Sequence, residues 1–157
     1  MLLGEVAAAS ADVAATSSRR TKVELLSSVL ATLRPEEVPI AVAYLSGVLP
    51  QGSIGVGWAS LKDLPPPGPP PAVLELIDVD TALRGIGAMA GAGSQAARRT
   101  ALHDLFARAT AAEQDYLRGL LMGEIRQGAL EGVMVDAVSR AADVPLADVR
   151  RAAMLTG

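Results

Sequence analysis

Apolar residues recur at spacings of three and four along most of this chain, and no segment alternates convincingly at every second position. Between Leu130 and Ala142 the residues Leu130, Val133, Met134, Ala137, Val138 and Ala141 fall on one stripe. That spacing predicts an amphipathic helix with its apolar stripe toward a core. Ala, Leu, Met, Arg and Glu dominate outside the turns, all good helix formers. The pattern places helices over 6–15, 19–33, 35–48 and 56–63 in the first half, and over 80–90, 95–109, 111–122, 130–142 and 145–155 in the second. The fold class is therefore all-α, a compact multi-helix domain. Thr110 and Glu113 have the spacing of a capping box, in which a hydroxyl and a carboxylate satisfy free backbone N–H groups at a helix start. Pro145 suits a first helical position, where no N–H is needed. Trp58 and Phe106 are expected in the core, because an all-α domain poor in aromatics needs bulky fillers.

A second pattern lies over the first. At a fixed offset of 76 positions Ser18 aligns with Ser94, Lys22 with Arg98, Leu26 with Leu102, Leu45 with Leu121, Gly47 with Gly123, Gln51 with Gln127 and Gly52 with Gly128, with no gap. The chain reads as one domain over 1–157 with an internal repeat, its halves near 1–63 and 78–157. Between them the proline-rich stretch 64–72 can form neither helix nor internal sheet and reads as an extended, semi-rigid connector. A docking site for a proline-reading partner is the alternative, and the equal repeat spacing favours the connector.

Composition narrows the chemistry. At 157 residues the chain is long enough to bury roughly 70% of the surface its unfolded form exposes. It has no Cys and a single His, which excludes disulfides and thiolate metal sites, so no metal site is expected. Long apolar runs are broken before they reach the ~20 residues of a membrane span. The opening Met-Leu-Leu-Gly-Glu lacks a basic region, so a cytoplasmic protein is expected. The formal net charge of -3 argues against a polycation coating nucleic acid by charge alone, so any such binding must be local. Of 14 basic residues only Lys22 and Lys62 are Lys; GC-rich codon usage is the favoured reading of this arginine bias, and the guanidinium's suitability for phosphate is an alternative that composition alone does not promote.

Two paired features could carry binding. Ser17-Ser18-Arg19-Arg20-Thr21-Lys22 opens one helix and Gly93-Ser94-Gln95-Ala96-Ala97-Arg98 opens its counterpart. A serine cap, free backbone N–H groups, the positive end of the helix dipole and a cation one turn in favour a bound phosphate. An ordinary capped helix with a solvated charged face is the other reading. The second feature is the turn Gln51-Gly52 and its echo Gln127-Gly128, each before a helix. Glycine there permits positive φ and close approach to a ligand, although glycines also simply end helices. Arg126 adds a guanidinium to the second turn, where the first has Pro50.

Other candidates are weak. The Gly-x-Gly sequences at Gly55, Gly85 and Gly91 follow no strand and lack the third glycine of a dinucleotide site. His103 has no partner positioned by motif and reads as a partly exposed helix residue. Asp104, Glu113, Asp115 and Glu124 read as helix-surface acids without the pairing that acid–base catalysis requires.

The run Phe106 to Leu130, with Gly93-Ser94 upstream, resembles the N-terminal DNA-binding domain of ATP-dependent DNA ligases, and is closest to bacterial ligases of actinobacterial type. Its most specific piece is Gly123-Glu124-Ile125-Arg126-Gln127-Gly128, and Ala14 to Arg19 and Val149 to Gly157 resemble the two ends of the same domain. The resemblance implies an all-helical domain with an internal pseudo-two-fold repeat, lying across the minor groove of nicked duplex DNA while catalytic and OB-fold domains complete a ring. It implies a groove-facing set of Gln51, Gly52, Arg126, Gln127 and Gly128, and a phosphate set of Ser18, Arg19, Lys22, Ser94, Gln95 and Arg98. It also implies a nucleoid-associated enzyme of DNA repair, replication and recombination, with ATP and Mg as cofactors of the full-length protein and none in this segment.

One departure is decisive for catalysis. The ligase nucleophile is a Lys in Lys-x-Asp-Gly, whereas Lys22 is followed by Val-Glu-Leu and Lys62 by Asp-Leu-Pro. No catalytic residue is expected here, nor an OB-fold segment. A helical protein-interaction scaffold is the rival function, since low aromatic content and acidic charge allow it.

Overall fold

The computed structural model describes residues 1–125 and 130–156. Among them are nine helices and no strand: α1 Leu3–Ala15, α2 Arg19–Leu30, α3 Val38–Leu45, α4 Trp58–Leu61, α5 Leu76–Ala88, α6 Ser94–Arg108, α7 Ala111–Leu121, α8 Leu130–Ala142 and α9 Leu146–Thr156. Each expected helix is present, and the differences lie at the ends. The first and fifth start earlier than their apolar pattern suggests, because the two beginnings hold each other. Leu3 N donates to Leu74 O at 2.8 Å and Leu76 N to Met1 O at 3.0 Å, and Leu2 bridges Glu75. The third starts later, at Val38, because Glu37 turns inward at its N-cap. The fourth is a single turn, and the ninth begins at Leu146, with the Pro145 carbonyl accepting from Asp148 N at 2.9 Å.

The core runs through all of these helices except α9 and joins the two halves. Val6, Leu26, Tyr44, Leu45, Leu83, Leu102, Phe106 and Leu117 are fully buried, and from α8 Val133, Met134 and Ala137 join them, as the stripe predicts. Contacts run α1 to α7, α2 to α8 and α3 to α5, so first-half helices pack on second-half ones. Phe106 is core as expected. Trp58 is not: it is 66% exposed, and Leu61, at the other end of the same turn, is the residue that buries. A single turn can direct few side chains inward, and here the leucine takes that place.

The proline connector is fastened at Pro65 and Gly68. Gly68 N donates to Ala109 O at 2.8 Å, and the buried Gln114 donates through Nε2 to Pro65 O at 3.2 Å and Phe106 O at 2.7 Å. A β-carbon at Gly68 would meet Ala107 O at 2.9 Å and Arg108 O at 3.0 Å, so glycine lets the connector lie directly on the end of α6.

Among the described residues the carboxylates of Glu37, Asp80 and Glu113 are buried, and each accepts hydrogen bonds, as buried charge requires, with Glu113 Oε1 the one of their oxygens that is buried without a partner. Glu113 closes the capping box: its Oε2 accepts from Thr110 N and Thr110 Oγ1, both at 2.8 Å. It is fully buried, not the surface acid its sequence position suggests, because the box folds it back under its own helix. Glu37 accepts from Arg34 N at 2.9 Å, Arg34 Nη2 at 2.8 Å and the Met1 amino group. The Arg34 bond first, then the amino-terminal one, holds its carboxyl down to about 2. Asp80 is the third and belongs to the turn described next. Beside it, burial chiefly and Asp80 secondarily push the Tyr44 hydroxyl well above its ordinary range.

Candidate nucleic-acid interface

The helix ends at Gly47 and Gly123 repeat bond for bond. At the end of α3, Ser46 N donates to Val42 O at 3.0 Å, Gly47 N to Tyr44 O at 2.9 Å and Val48 N to Ala43 O at 2.9 Å. At the end of α7, Met122 N donates to Arg118 O at 3.0 Å, Gly123 N to Leu120 O at 3.2 Å and Glu124 N to Gly119 O at 2.8 Å. Every donor and every acceptor in the second set is 76 positions beyond its counterpart. Gly47 has φ +73° and Gly123 φ +66°, the left-handed conformation that closes a helix and favours glycine. The two corners also adjoin. A β-carbon at Gly47 would strike the Ile125 carbonyl oxygen and lie 3.2 Å from Ile125 Cβ, and one at Gly119 would lie 3.3 Å from Ile125 Cγ1. The ends of α3 and α7, from opposite halves of the chain, therefore meet at Ile125.

In the first of those turns Gly52 has φ +66° and nothing within 4 Å of a built β-carbon. Its backbone is open to approach. Gln51 faces the other way: its Nε2 donates to Asp80 Oδ1 at 2.5 Å and Asp80 O at 3.4 Å, and Arg84 pairs with the same carboxylate from one turn along α5. Gln51 thus anchors the turn to α5, and Gly52 is the part presented. Arg126, Gln127 and Gly128 lie outside the described residues.

The two helix starts of the phosphate set differ in detail. Ser18 is the N-cap of α2, its Oγ accepting from Thr21 N at 3.3 Å. At α6 the cap is Gly93 at φ +82°, and Ser94 is the first helical residue without a side-chain cap bond; a serine cap at Ser94 was expected and is corrected by one position. Arg19 and Arg98 each reach into the opposite half. Arg19 Nη2 donates to Gly132 O at 3.1 Å and pairs with Asp136 at 2.7 Å, tying α2 to α8. Arg98 donates to Met89 O and lies over Gly55, where a β-carbon would be 3.0 Å from Nη1. Its buried Nε has no protein partner. Lys22 is partly buried, one turn into α2.

Beside Arg98 an open recess of about 460 Å³ lies between α4 and the start of α6, lined by Gly55, Ala59, Ser60, Gln95, Arg98 and Arg99. It brings together two residues of the expected phosphate set, Gln95 and Arg98, with a segment that sequence reasoning left out. The signal for that segment was Gly55-Val56-Gly57, dismissed as a dinucleotide motif; its use is different, with Gly55 at φ +69° making room for the guanidinium. Among the described residues no His, Cys, Asp or Glu cluster could hold a metal ion, and no helix is long and apolar enough to cross a membrane.

Residues 60–139 match the family described as DNA ligase N terminus. This chain belongs to that family. It is similar over its whole length to a probable DNA ligase of Mycobacterium bovis and to DNA ligase B of Mycobacterium tuberculosis, at 54% identity over 159 aligned residues in each case. A probable DNA ligase of Streptomyces griseus is 52% identical over 157 residues. In the two mycobacterial cases the match occupies 31% of the relative, so the chain spans about a third of the ligases it matches. The similarity covers the whole of this chain, so the glycine corners and the recess at α6 lie within the part that resembles DNA ligases.

Proposed function

We propose that this chain is the DNA-binding module of an ATP-dependent DNA ligase, gripping nicked duplex DNA across the minor groove while catalytic and OB-fold domains of a longer polypeptide complete the grip and seal the nick. The observation that carries this reading is the bond-for-bond recurrence of the glycine corner at Gly47 and Gly123, with the two corners in contact. Duplex DNA repeats along its axis, and a body with two similar adjacent turns meets two similar stretches of it. Arg19 on α8 and Arg98 over Gly55 each tie one half of the chain to the other, from positions that the 76-residue offset does not pair.

Recognition in this reading is by shape and phosphate, without base sequence. Gly52, with Arg126, Gln127 and Gly128, approaches the groove floor. Ser18, Arg19 and Lys22 on one side, and Ser94, Gln95 and Arg98 on the other, hold flanking phosphates at helix N-termini. ATP and Mg act in the catalytic part: neither Lys22 nor Lys62 stands in Lys-x-Asp-Gly, so this chain holds DNA and forms no bond. A cytoplasmic, nucleoid-associated enzyme of DNA repair, replication or recombination fits that role.

Titrating nicked and intact duplexes at two salt concentrations tests the reading. Affinity for nicked duplex is expected to fall steeply with salt as condensed counterions are released. Absence of binding at low salt overturns it, and a salt-independent association with protein partners would favour a helical docking scaffold instead.

A further inference from the structure

Trp58 is the only tryptophan of the chain and is left 66% exposed in a domain that buries its single Phe and both Tyr. Burying an indole normally contributes more than burying any other side chain, so one left on the surface of an aromatic-poor protein is costly to the core. Its position is specific. Gly57 precedes it as an extended N-cap, and Trp58 begins the single turn whose next two residues, Ala59 and Ser60, line the recess with Gln95, Arg98 and Arg99. The turn is locked in place by Leu61, 5% exposed, and by Arg98 over Gly55. Trp58 thus adjoins in sequence the two residues through which α4 lines the recess, on a turn whose position is fixed.

We propose that Trp58 is a DNA-contacting residue, laying its indole against the sugar and base edges of the strand whose phosphate is held at the start of α6. The inference rests on the DNA-binding reading and deepens it. The neighbouring groups favour DNA over an apolar protein partner: Arg99 pairs with Asp63 at 3.6 Å and Arg98 donates to Met89 O, yet Arg98 Nε has no protein partner, and an apolar cover would also take water from the exposed Gln95 amide, a cost that phosphate oxygens remove. A nucleotide strand offers both halves of the match, anionic oxygens for the recess and flat, weakly polar sugar and base surface for the ring. An indole carries few rotatable bonds, so ordering it on binding costs little.

Because Trp58 is the sole tryptophan, the full 157-residue chain reports on it directly. A nicked duplex carrying a fluorescent label is titrated with the protein at low salt, binding being followed by the label's anisotropy while tryptophan emission and its quenching by acrylamide are read in parallel. At saturation Trp58 emission is expected to shift and its quenching to fall. Trp58→Ala is expected to weaken binding roughly tenfold, the loss of one aromatic contact, with an unchanged salt slope since no charge is lost, and with an unchanged melting temperature. Trp58→Phe should recover part of the affinity. Saturated anisotropy with unaltered emission and quenching, or wild-type affinity in Trp58→Ala, overturns the assignment of Trp58 and leaves the DNA-binding reading intact. No anisotropy change at any protein concentration overturns both.

Discussion

Gly47 and Ile125 lie so close that the glycine's missing β-carbon is the space occupied by the isoleucine's backbone carbonyl. This one contact joins the end of α3 in the first half to Ile125, just after α7, in the second.

Gly47→Ala should therefore cost about 2–4 kcal/mol, combining a left-handed φ with a clash against backbone that cannot swing aside. Gly52→Ala has a similar φ but open space around it, and should cost only about 1 kcal/mol. Urea unfolding of the two variants checks the difference. Equal losses would mean that the contact between the corners contributes nothing.

Glu37 gives the domain an acid-sensitive joint. Its carboxyl is held near 2 in the folded protein, below its ordinary 4.5, so the unfolded chain binds the proton more readily. The stabilisation is complete above about 4.5 and drains away as the pH falls toward 2. Glu37→Gln should lower stability at neutral pH by about 1.5–3 kcal/mol, the scale of hydrogen bonds to a charged group. It should also flatten the stability profile between those two pH values. Melting temperatures of both proteins measured down the acid range decide it, and parallel profiles would count against the Arg34 and amino-terminal bonds.

How much of this was legible beforehand differs by scale. Every helix followed from period and caps, since an apolar stripe such as Val133, Met134 and Ala137 needs only a core to face. The corners were legible too, because Gly47 and Gly123 stand at equal spacing. What stayed hidden was long-range. Nothing local says that Gln51 turns inward to Asp80 rather than outward, or that Arg98 reaches over Gly55, since both depend on which helix packs beside which. Trp58 misled for the same reason: a tryptophan in an apolar, aromatic-poor chain reads as filler until the single turn of α4 gives the inward place to Leu61. The Glu113 carboxylate was read as surface although its capping box was seen, because the box fixes a hydrogen bond and not the depth at which the helix starts.

Arg98→Ala is expected to do two things at once. Removing a phosphate contact should weaken binding of every duplex sequence and lower the salt slope by about one unit. Losing the bond to Met89 O and the cover over Gly55 should also reduce the melting temperature. Salt titrations alongside thermal unfolding separate the two effects. An unchanged slope with lowered stability would assign Arg98 to the fold alone.

Incubated with ATP and a divalent metal, the chain should remain unmodified and should not seal a nick, because neither lysine stands in a nucleotidyltransferase motif. Joined ahead of a ligase catalytic part, it should raise that part's affinity for nicked duplex, since two modest contacts on one tether act at high effective concentration. Mass spectrometry of Lys22 and Lys62 would detect an adenylate, and finding one would reverse the assignment. A fusion that binds no more tightly than the catalytic part alone would refute the tethering role.

The connector at 64–72, bonded to Ala109 through Gly68 and to Gln114 through Pro65, carries the chain from one half to the other without being what holds them together. That task falls to α1 on α7 and α2 on α8. A chain severed among its prolines should consequently reassemble from two separately made pieces, the way a split reporter does, with the corners at Gly47 and Ile125 meeting again across a break that the rest of the molecule does not feel.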